Sequence, residues 1–214
     1  MKGLLLISGG FDSAVAGYVA KQHNIELSAL HFSLEPFTDS KPFEKSKNCA
    51  KVLGLDTIYY SKAGDYFLQF AKHCNEKYYF ILGKRFMLKA AEKLALKNNF
   101  DFLITGENLG QVSSQTSQSL AVIQKAINIP LIRPLLCYDK EEILTVAKKI
   151  GTYELSKGPE CCDVLASGKP ITSPDLSIVL EEEKKININS IVEKAFSEMQ
   201  EISRVSGKPT SFKM

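Results

Sequence analysis

The chain has 214 residues, of which 44% are hydrophobic, so it is long enough to fold around one substantial core. Its formal net charge of +3 is mildly basic, which permits a nucleic-acid partner without arguing for one. No apolar run reaches the roughly 18 residues that a membrane span requires, and the first strand begins too close to Met1 for a signal peptide. Five cysteines without a secretion signal favour reduced thiols and a cytoplasmic protein.

The most informative local pattern lies near the start of the chain. The apolar residues 4–7 predict a buried strand, residues 8–13 (Ser-Gly-Gly-Phe-Asp-Ser) interrupt it, and a helix is predicted to begin at Ser13. Adjacent glycines let successive backbone N–H groups point at one anion, and a helix start adds its own unpaired N–H groups. The hydroxyls of Ser8 and Ser13 can donate to the same anion. These residues therefore predict a phosphate site.

Asp12 lies within this predicted phosphate site. Its carboxylate would repel phosphate unless a cation intervened, which makes it a candidate Mg²⁺ ligand. The alternative is a first-turn carboxylate that simply favours the helix dipole.

Apolar strand-like runs alternate with helical patterns through the rest of the chain. Five strands are predicted, ending near residues 7, 32, 61, 105 and 133, and the strongest helix is predicted over residues 86–96. This order predicts an α/β fold, a doubly wound, mostly parallel five-stranded sheet with helices on both faces. His31, Gly106, Glu107 and Arg133 lie at or just past strand ends, where such a sheet binds its ligand.

The pattern loosens beyond Gly151. A loop rich in Gly, Pro and Ser holds Cys161 and Cys162. A charged turn is predicted over residues 181–185, and an amphipathic helix from about residue 191 to residue 205.

Several segments together resemble a known family. Residues 8–13 resemble the PP-loop of the ATP pyrophosphatase superfamily, in which the loop holds the pyrophosphate of ATP. Six later segments look like the catalytic domain of the tRNA 4-thiouridine synthetase (tRNA sulfurtransferase) family: Lys84–Met87, Thr105–Thr116, Arg133–Leu135, Tyr138–Ile143, Ile150–Thr152 and Pro159–Cys162. The segment from Thr105 to Thr116 is the most specific, whereas the loop alone would give only the superfamily. The resemblance predicts a PP-loop domain over residues 1–174 and leaves residues 175–214 as a C-terminal helical extension.

The resemblance implies an ATP-dependent sulfurtransferase that uses ATP and Mg²⁺. A substrate carbonyl, expected to be uridine O4 of a tRNA, is adenylated with release of pyrophosphate, and sulfur from a cysteine persulfide then displaces AMP. A cysteine desulfurase or another sulfur donor is the implied partner. The implied ATP contacts, with the loop included, are Leu6, Ile7, Ser8, Gly9, Gly10, Asp12, Ser13, His31, Phe32, Lys84, Gly106 and Gln115. Without the resemblance, Phe32 would be interpreted as core, His31 as a satisfied strand-end histidine and Lys84 as a solvated helix residue.

Lys140 matches the catalytic lysine of the family. It is predicted in the first turn of a helix, where the dipole disfavours a cation unless an anionic ligand lies nearby. Its implied role is to stabilise charge on the α-phosphate or on the leaving pyrophosphate. The alternative is a surface turn with the flanking acidic residues. Arg133 is a candidate contact for a similar anion or the partner of a carboxylate at the strand end.

Cys162 matches the persulfide-bearing cysteine of the family. Adjacent cysteines bridge each other only with strain, so a resolving thiol is expected at Cys137 or on a partner protein, with Cys161 also a candidate. The alternatives are a metal site or buried structural thiols.

Two features of the family are not seen in the sequence, namely the RNA-binding THUMP region and the C-terminal rhodanese domain of some members. A stand-alone catalytic domain is therefore expected, with a homodimer as a candidate assembly. Two further functions stay open at this point. One is the same ATP chemistry on a small-molecule acceptor, by thiolation or amidation. The other is an ATP-binding subunit that depends on a separate tRNA-binding protein.

Overall fold

The computed structural model describes residues 1–110, 115–158, 164–166, 168–203 and 205. Strands and helices alternate through its first two thirds because apolar runs that suit a buried sheet are separated by amphipathic helices. The strands of the described residues are β1 (Lys2–Leu6), β2 (Glu26–Ser33), β3 (Thr57–Lys62), β4 (Phe102–Ile104), β5 (Leu131–Ile132) and β6 (Gln200–Ser203). The helices are α1 (Phe11–Lys21), α2 (Lys41–Val52), α3 (Gly64–His73), α4 (Tyr79–Lys97), α5 (Ser117–Gln124), α6 (Lys140–Lys149), α7 (Tyr153–Ser156), α8 (Leu176–Lys185) and α9 (Ile188–Ser197), with a 3₁₀ turn at Glu76–Tyr78.

The strands form one sheet in the order β5-β4-β1-β2-β3-β6. All neighbouring pairs are parallel except β3 and β6, which are antiparallel. The chain first moves outward from β1 through β2 to β3 and then returns to the other side of β1 with β4. The carboxyl ends of β1 and β4, where the order reverses, therefore form the crevice in which sheets of this kind bind ligands.

Alternate residues of the central strand face opposite sides of the sheet, as the pleat requires. Leu4 belongs to a buried cluster with residues of α3, α4, α5, α8 and α9. Leu5 belongs to a second cluster with residues of α1, α2 and α6. The predicted α/β sheet with helices on both faces is thus confirmed. Among the described residues no helix is both long and apolar enough to cross a membrane.

The end of the chain differs from the sequence-based expectation. The helix predicted to reach residue 205 ends at Ser197, and β6 follows as a sixth strand where five were predicted. Residues 200–203 are Gln-Glu-Ile-Ser, so Ile202 supplies the one apolar side chain, and the strand is fixed by antiparallel pairing with the distant β3. A local pattern could not show this pairing. The charged turn predicted over residues 181–185 is also wrong, because these residues complete helix α8.

Two carboxylates of that charged stretch are buried, and one of them joins α8 to α4. Arg85 donates from Nε to Glu183 over 2.7 Å and from Nη1 to the carbonyl of Val122 over 2.6 Å. The side chains of Arg85 and Glu183 are only 2% and 5% exposed, and Lys89 donates to the same carboxylate over 3.3 Å. The pair fixes the C-terminal helices on the face of the sheet that carries α4.

We expect Glu183→Ala to lower the free energy of unfolding by about 3–5 kcal/mol, because it leaves the Arg85 guanidinium buried without its carboxylate. Urea unfolding measures this loss. Glu181→Ala is the matched control, since Glu181 lies in the same helix but its pair with Lys184 is about two-thirds exposed, and an exposed pair contributes about 0–1 kcal/mol. Equal losses in the two variants would contradict the structural role of the buried pair.

Candidate nucleotide site

Residues 8–13, which we call the phosphate loop after the role predicted for them, connect β1 to α1 at the crevice. The two serine hydroxyls brace the loop from within. Ser13 Oγ accepts from the Ser8 backbone N–H over 3.2 Å and donates to the Gly10 carbonyl over 3.1 Å. Ser8 Oγ accepts from the Gly10 N–H over 3.2 Å and lies 3.3 Å from Ser13 Oγ. These bonds hold the backbone of the loop in a fixed turn.

Gly9 is required where the loop turns against α2. Its φ of +81° lies in the left-handed region, and a Cβ there would stand 2.8 Å from Lys45 Cβ and 3.0 Å from the Pro42 carbonyl oxygen. The first turns of α2 thus form one wall of the loop.

Gly106, just after β4, packs against the start of α1. A Cβ at this position would lie 2.6 Å from the carbonyl carbon of Asp12 and 2.7 Å from the backbone nitrogen of Ser13. The resemblance implies an ATP contact at Gly106, where the missing side chain would leave room for the nucleotide. The structure supplies a second reason for glycine, the close approach of two backbone segments across the crevice.

Gly106→Ala is expected to displace the start of α1 and with it the phosphate loop. We expect weaker nucleotide binding and a loss of about 1–3 kcal/mol in the free energy of unfolding, the usual cost of overpacking. Titration with a fluorescent ATP analogue and urea unfolding measure the two effects. Gly110→Ala is the control, since a Cβ there meets nothing within 4 Å although its φ of +77° strains the backbone. It should lower stability without weakening nucleotide binding, and the same loss of binding in both variants would contradict the assignment.

His31, at the end of β2, lies beneath the loop with 2% of its surface exposed. Its Nδ1 is 2.9 Å from the Ile7 carbonyl oxygen and 2.8 Å from Ser46 Oγ. A carbonyl oxygen can only accept, so the proton of the neutral ring is on Nδ1. Nε2 is then an acceptor, and within the described part of the chain this buried atom has no hydrogen-bond partner. Burial lowers the pKa of His31 to about 4, despite the hydrogen bond to Ile7, so the ring is neutral at pH 7.

The buried His31 should make the fold sensitive to acid. The pKa of His31 is about 4 in the folded chain and 6.5 for an ordinary histidine, so only the unfolded chain takes up this proton between those values. The free energy of unfolding should therefore fall by up to about 3 kcal/mol as the pH drops from 6.5 to 4. Urea unfolding across this range should show a smaller fall for His31→Gln than for the wild type. His23→Gln removes an exposed histidine and should leave the fall unchanged, and an unchanged fall in His31→Gln would contradict the prediction.

Glu107, next to Gly106, forms ion pairs with two cations. Lys84 Nζ donates to one oxygen over 2.8 Å and Arg133 Nε to the other over 2.7 Å, with Thr105 Oγ1 at 3.3 Å. Burial alone would raise the pKa of Glu107, but Lys84 and Arg133 outweigh it and hold the pKa below its usual range. Arg133 also donates to Gln124 over 3.0 Å, while its buried Nη2 has no partner among the described residues. Of the two roles considered for Arg133, the structure shows the pairing with a strand-end carboxylate.

The segment after β4 is tied to the turn that precedes α6. Gln115 Oε1 accepts from the Asn108 backbone N–H over 3.3 Å. Asn108 Nδ2 donates to the carbonyls of Leu135, over 3.1 Å, and of Tyr138. Gln115 is thus placed beside the crevice, in contact with the segment that begins at Gly106.

The remaining predicted residues differ in their burial and in their place in the fold. Leu6 and Phe32 are half-buried against the core, and Phe32 meets Phe86 edge-on with centroids 6.0 Å apart. Lys140 is exposed as the first residue of α6, after Asp139, which forms a capping box with Glu142. Helix α6 packs against α1. The candidate resolving thiol Cys137 is exposed. Cys161 and Cys162 lie outside the described residues.

Sequence reasoning missed two supporting residues. Ser46 is fully buried and bonds the ring of His31. Its position three residues before the buried Cys49 marked it as a polar residue on an apolar helix face, which was the available signal. Gln124, which accepts from Arg133, carried no signal.

Comparison with known proteins shows which family the chain belongs to. A family model described as "Thiamine biosynthesis protein (ThiI)" matches residues 1–188. The chain belongs to the ThiI family. This confirms the family expected from the sequence motifs.

Curated relatives of the ThiI-family chain carry the name "Probable tRNA sulfurtransferase". The relative from Finegoldia magna is 39% identical over 205 residues, covering 93% of this chain and 52% of the relative. The relative from Coxiella burnetii is 39% identical over 209 residues, with the same coverage of 93% and 52%. The chain thus spans about half the length of the curated relatives it matches.

Solved structures show the same fold. The crystal structure of a 4-thiouridine synthetase–RNA complex with bound ATP matches with a TM-score of 0.88 and 34% identity, over 94% of this chain and 54% of that one. The NMN synthetase from Francisella tularensis shares the fold with a TM-score of 0.58 at 15% identity, over 91% of this chain and 86% of that one.

Proposed function

We propose that the protein is an ATP-dependent sulfurtransferase that adenylates a tRNA uridine and converts it to 4-thiouridine. The observation that carries the proposal is the start of α1. Its N-cap is Gly10, which has no side chain to cap the helix, and the Ser13 hydroxyl holds the turn that leads into the first N–H groups of the helix. The names of the relatives and the RNA and ATP of the similar structure support the choice of substrates.

The residues of the site fit the phosphates of ATP and Mg²⁺. The loop backbone and the N-terminus of α1 supply donors for phosphate oxygens. Asp12 lies in the first turn of α1, and Mg²⁺ is commonly held by one or two carboxylates together with phosphate oxygens and water. Asp12 would hold the cation, which neutralises phosphate charge when bound.

His31 fits a nucleotide that approaches the end of β2. Its Nε2 is a buried acceptor without a partner among the described residues. A neutral acceptor of this kind suits a donor such as the exocyclic amine of adenine. Because its pKa is held near 4, it keeps this acceptor at physiological pH.

The proposed reaction has three steps. Uridine O4 attacks the α-phosphorus of ATP, pyrophosphate leaves, and Lys140 stabilises the charge that develops there. The terminal sulfur of a Cys162 persulfide then attacks C4, and AMP leaves with the former O4. A second thiol attacks Cys162 Sγ, which breaks the S–S bond, forms a disulfide and releases the thiocarbonyl sulfur on the uridine. Cys137, Cys161 or a partner protein would supply this thiol, and the disulfide must be reduced before the next turnover.

The proposed setting is a reducing cytoplasm, which keeps the persulfide cycle supplied with thiols. The described cysteines, Cys49, Cys74 and Cys137, are all free thiols. A cysteine desulfurase or another sulfur donor would load Cys162.

The test combines the purified protein with ATP, Mg²⁺, a sulfur donor with its cysteine desulfurase, and unmodified tRNA. Digested RNA is analysed by mass spectrometry for 4-thiouridine, and pyrophosphate is measured in parallel. The proposal predicts 4-thiouridine together with one pyrophosphate per thiolated base. Pyrophosphate release that does not depend on tRNA would instead favour a small-molecule acceptor. Thiolation only after addition of a separate tRNA-binding protein would make the chain the catalytic subunit of a complex.

A further inference from the structure

An aromatic and basic surface borders the phosphate loop and takes no part in the chemistry described above. Phe11, the loop residue that begins α1, meets Tyr153 of α7 with ring centroids 5.3 Å apart and planes inclined by 31°. Two ammonium groups lie over the Tyr153 ring, Lys148 Nζ at 5.1 Å and Lys157 Nζ at 4.8 Å from its centroid. The Phe11 ring of the loop is therefore accompanied by the Tyr153 ring and two cations.

A third cation lies near the carboxyl end of α7. Lys45 extends from α2, and its Nζ is 2.9 Å from the point that a Cβ on Gly158 would occupy. We call Phe11, Lys45, Lys148, Tyr153 and Lys157 the platform. In the described contacts its carboxylate is Glu154, which pairs with Lys157 over 2.8 Å where both side chains are at least half exposed. Such an exposed pair contributes about 0.2–1 kcal/mol and yields easily to another anion.

This combination of groups suits an unstacked RNA strand. Bases stack on aromatic rings whatever their sequence, and lysines neutralise the phosphates between them. Three ammonium groups around one short helix repel one another, so a phosphate among them lowers the energy of the arrangement. Phe11 belongs to the phosphate loop itself, so a base held there lies beside the site of adenylation.

We propose that the platform docks the RNA substrate through the nucleotides next to the base that is modified. This inference rests on the proposed function for its choice of RNA. The rings hold bases and the three lysines hold the backbone, so the platform sets the affinity for RNA without touching the reacting atoms.

The test uses unmodified tRNA as the probe, with binding measured by fluorescence anisotropy at several salt concentrations. Lys148→Gln/Lys157→Gln should weaken tRNA binding about tenfold and reduce the slope of log affinity against log salt by about 1.4–1.8, as expected for two lost phosphate contacts. Tyr153→Leu should weaken binding about fivefold and leave the slope unchanged, because stacking releases no counterions. Binding of an ATP analogue should stay unchanged in both variants, which shows that the loop is intact.

The matched control is Lys184→Gln/Lys194→Gln, which removes two exposed lysines from α8 and α9 on the other face of the sheet. The proposed docking role of the platform is overturned if this control weakens tRNA binding as much as Lys148→Gln/Lys157→Gln does. This role is also overturned if the wild-type chain does not bind tRNA at all. Platform-dependent tRNA binding without thiolation would sink the proposed sulfur transfer and leave the docking surface standing, so the two failures are distinguishable.

Discussion

Lys140→Ala is expected to lower ATP-dependent AMP formation by roughly 10²–10³-fold, the usual loss when one group that stabilises transition-state charge is removed. Lys140 is exposed at the first position of α6, and the adjoining capping box of Asp139 and Glu142 satisfies N–H groups of this helix end. A lysine there is disfavoured by the helix dipole and gains stability only when an anion is bound. Measurement of pyrophosphate release in single turnovers gives the effect on the adenylation step directly, and AMP reports the sulfur-transfer step that follows.

The control for this variant is Lys149→Ala, which removes an exposed lysine from the last turn of the same helix. It should leave the rate of AMP formation unchanged. Asp12→Ala should match Lys140→Ala, because it removes the proposed Mg²⁺ ligand. Ordinary AMP formation in either Lys140→Ala or Asp12→Ala would sink the mechanism.

Cys162→Ala is expected to abolish 4-thiouridine formation while adenylation continues. The thiol is needed only after the α-phosphate has been attacked, so loss of the persulfide blocks the second step and spares the first. Pyrophosphate release in one turnover should stay close to that of the wild type, with no sulfur found in the digested RNA. Retained thiolation would move the sulfur site to another residue.

Cys137→Ala and Cys161→Ala are the companions of this variant. Loss of multiple turnovers, with one turnover preserved, would identify the resolving thiol in whichever variant shows it. If both variants turn over normally, the resolving thiol is supplied by a partner protein. Cys137 is exposed and therefore accessible for this role.

The parallel strands could be predicted from local sequence because each one coincides with a short apolar run. Leu4 and Leu5 lie in an apolar run that ends at a glycine pair, and residues 102–104 form another such run that ends at Gly106. Both are buried on two faces of the sheet, which requires continuous apolar residues. The turn at residues 8–13 was predictable for the same reason, since its glycines lie where β1 ends and α1 begins.

The rest of the fold depends on partners that are distant in sequence. Glu183 looks like a solvated residue in a run of charges, yet it is buried because Arg85, almost a hundred residues earlier, supplies its counter-charge. Ile202 is a single apolar residue that becomes part of a strand through its pairing with Ile58. Neither outcome can be inferred from the spacing of neighbouring residues.

In the candidate site, too, local patterns were predictable and contacts between distant residues were not. Lys84 was predicted to contact ATP, and Arg133 to contact an anion or a strand-end carboxylate, but the sequence did not show that Glu107 would bind both of them. Gly106 was identified as a residue of close approach, and its contact with the backbone of Asp12 emerged only from the fold. Residue types at strand ends were therefore predictable, whereas their mutual pairing was not.

The central claim is that the substrate carbonyl oxygen attacks the α-phosphorus of ATP. It is tested most directly with tRNA whose target uridine carries oxygen-18 at O4, incubated with ATP, Mg²⁺ and the sulfur donor. The account predicts that the label appears in AMP, one labelled oxygen for each 4-thiouridine formed. AMP without the label, alongside thiolated RNA, would contradict adenylation of the carbonyl and with it the proposed mechanism.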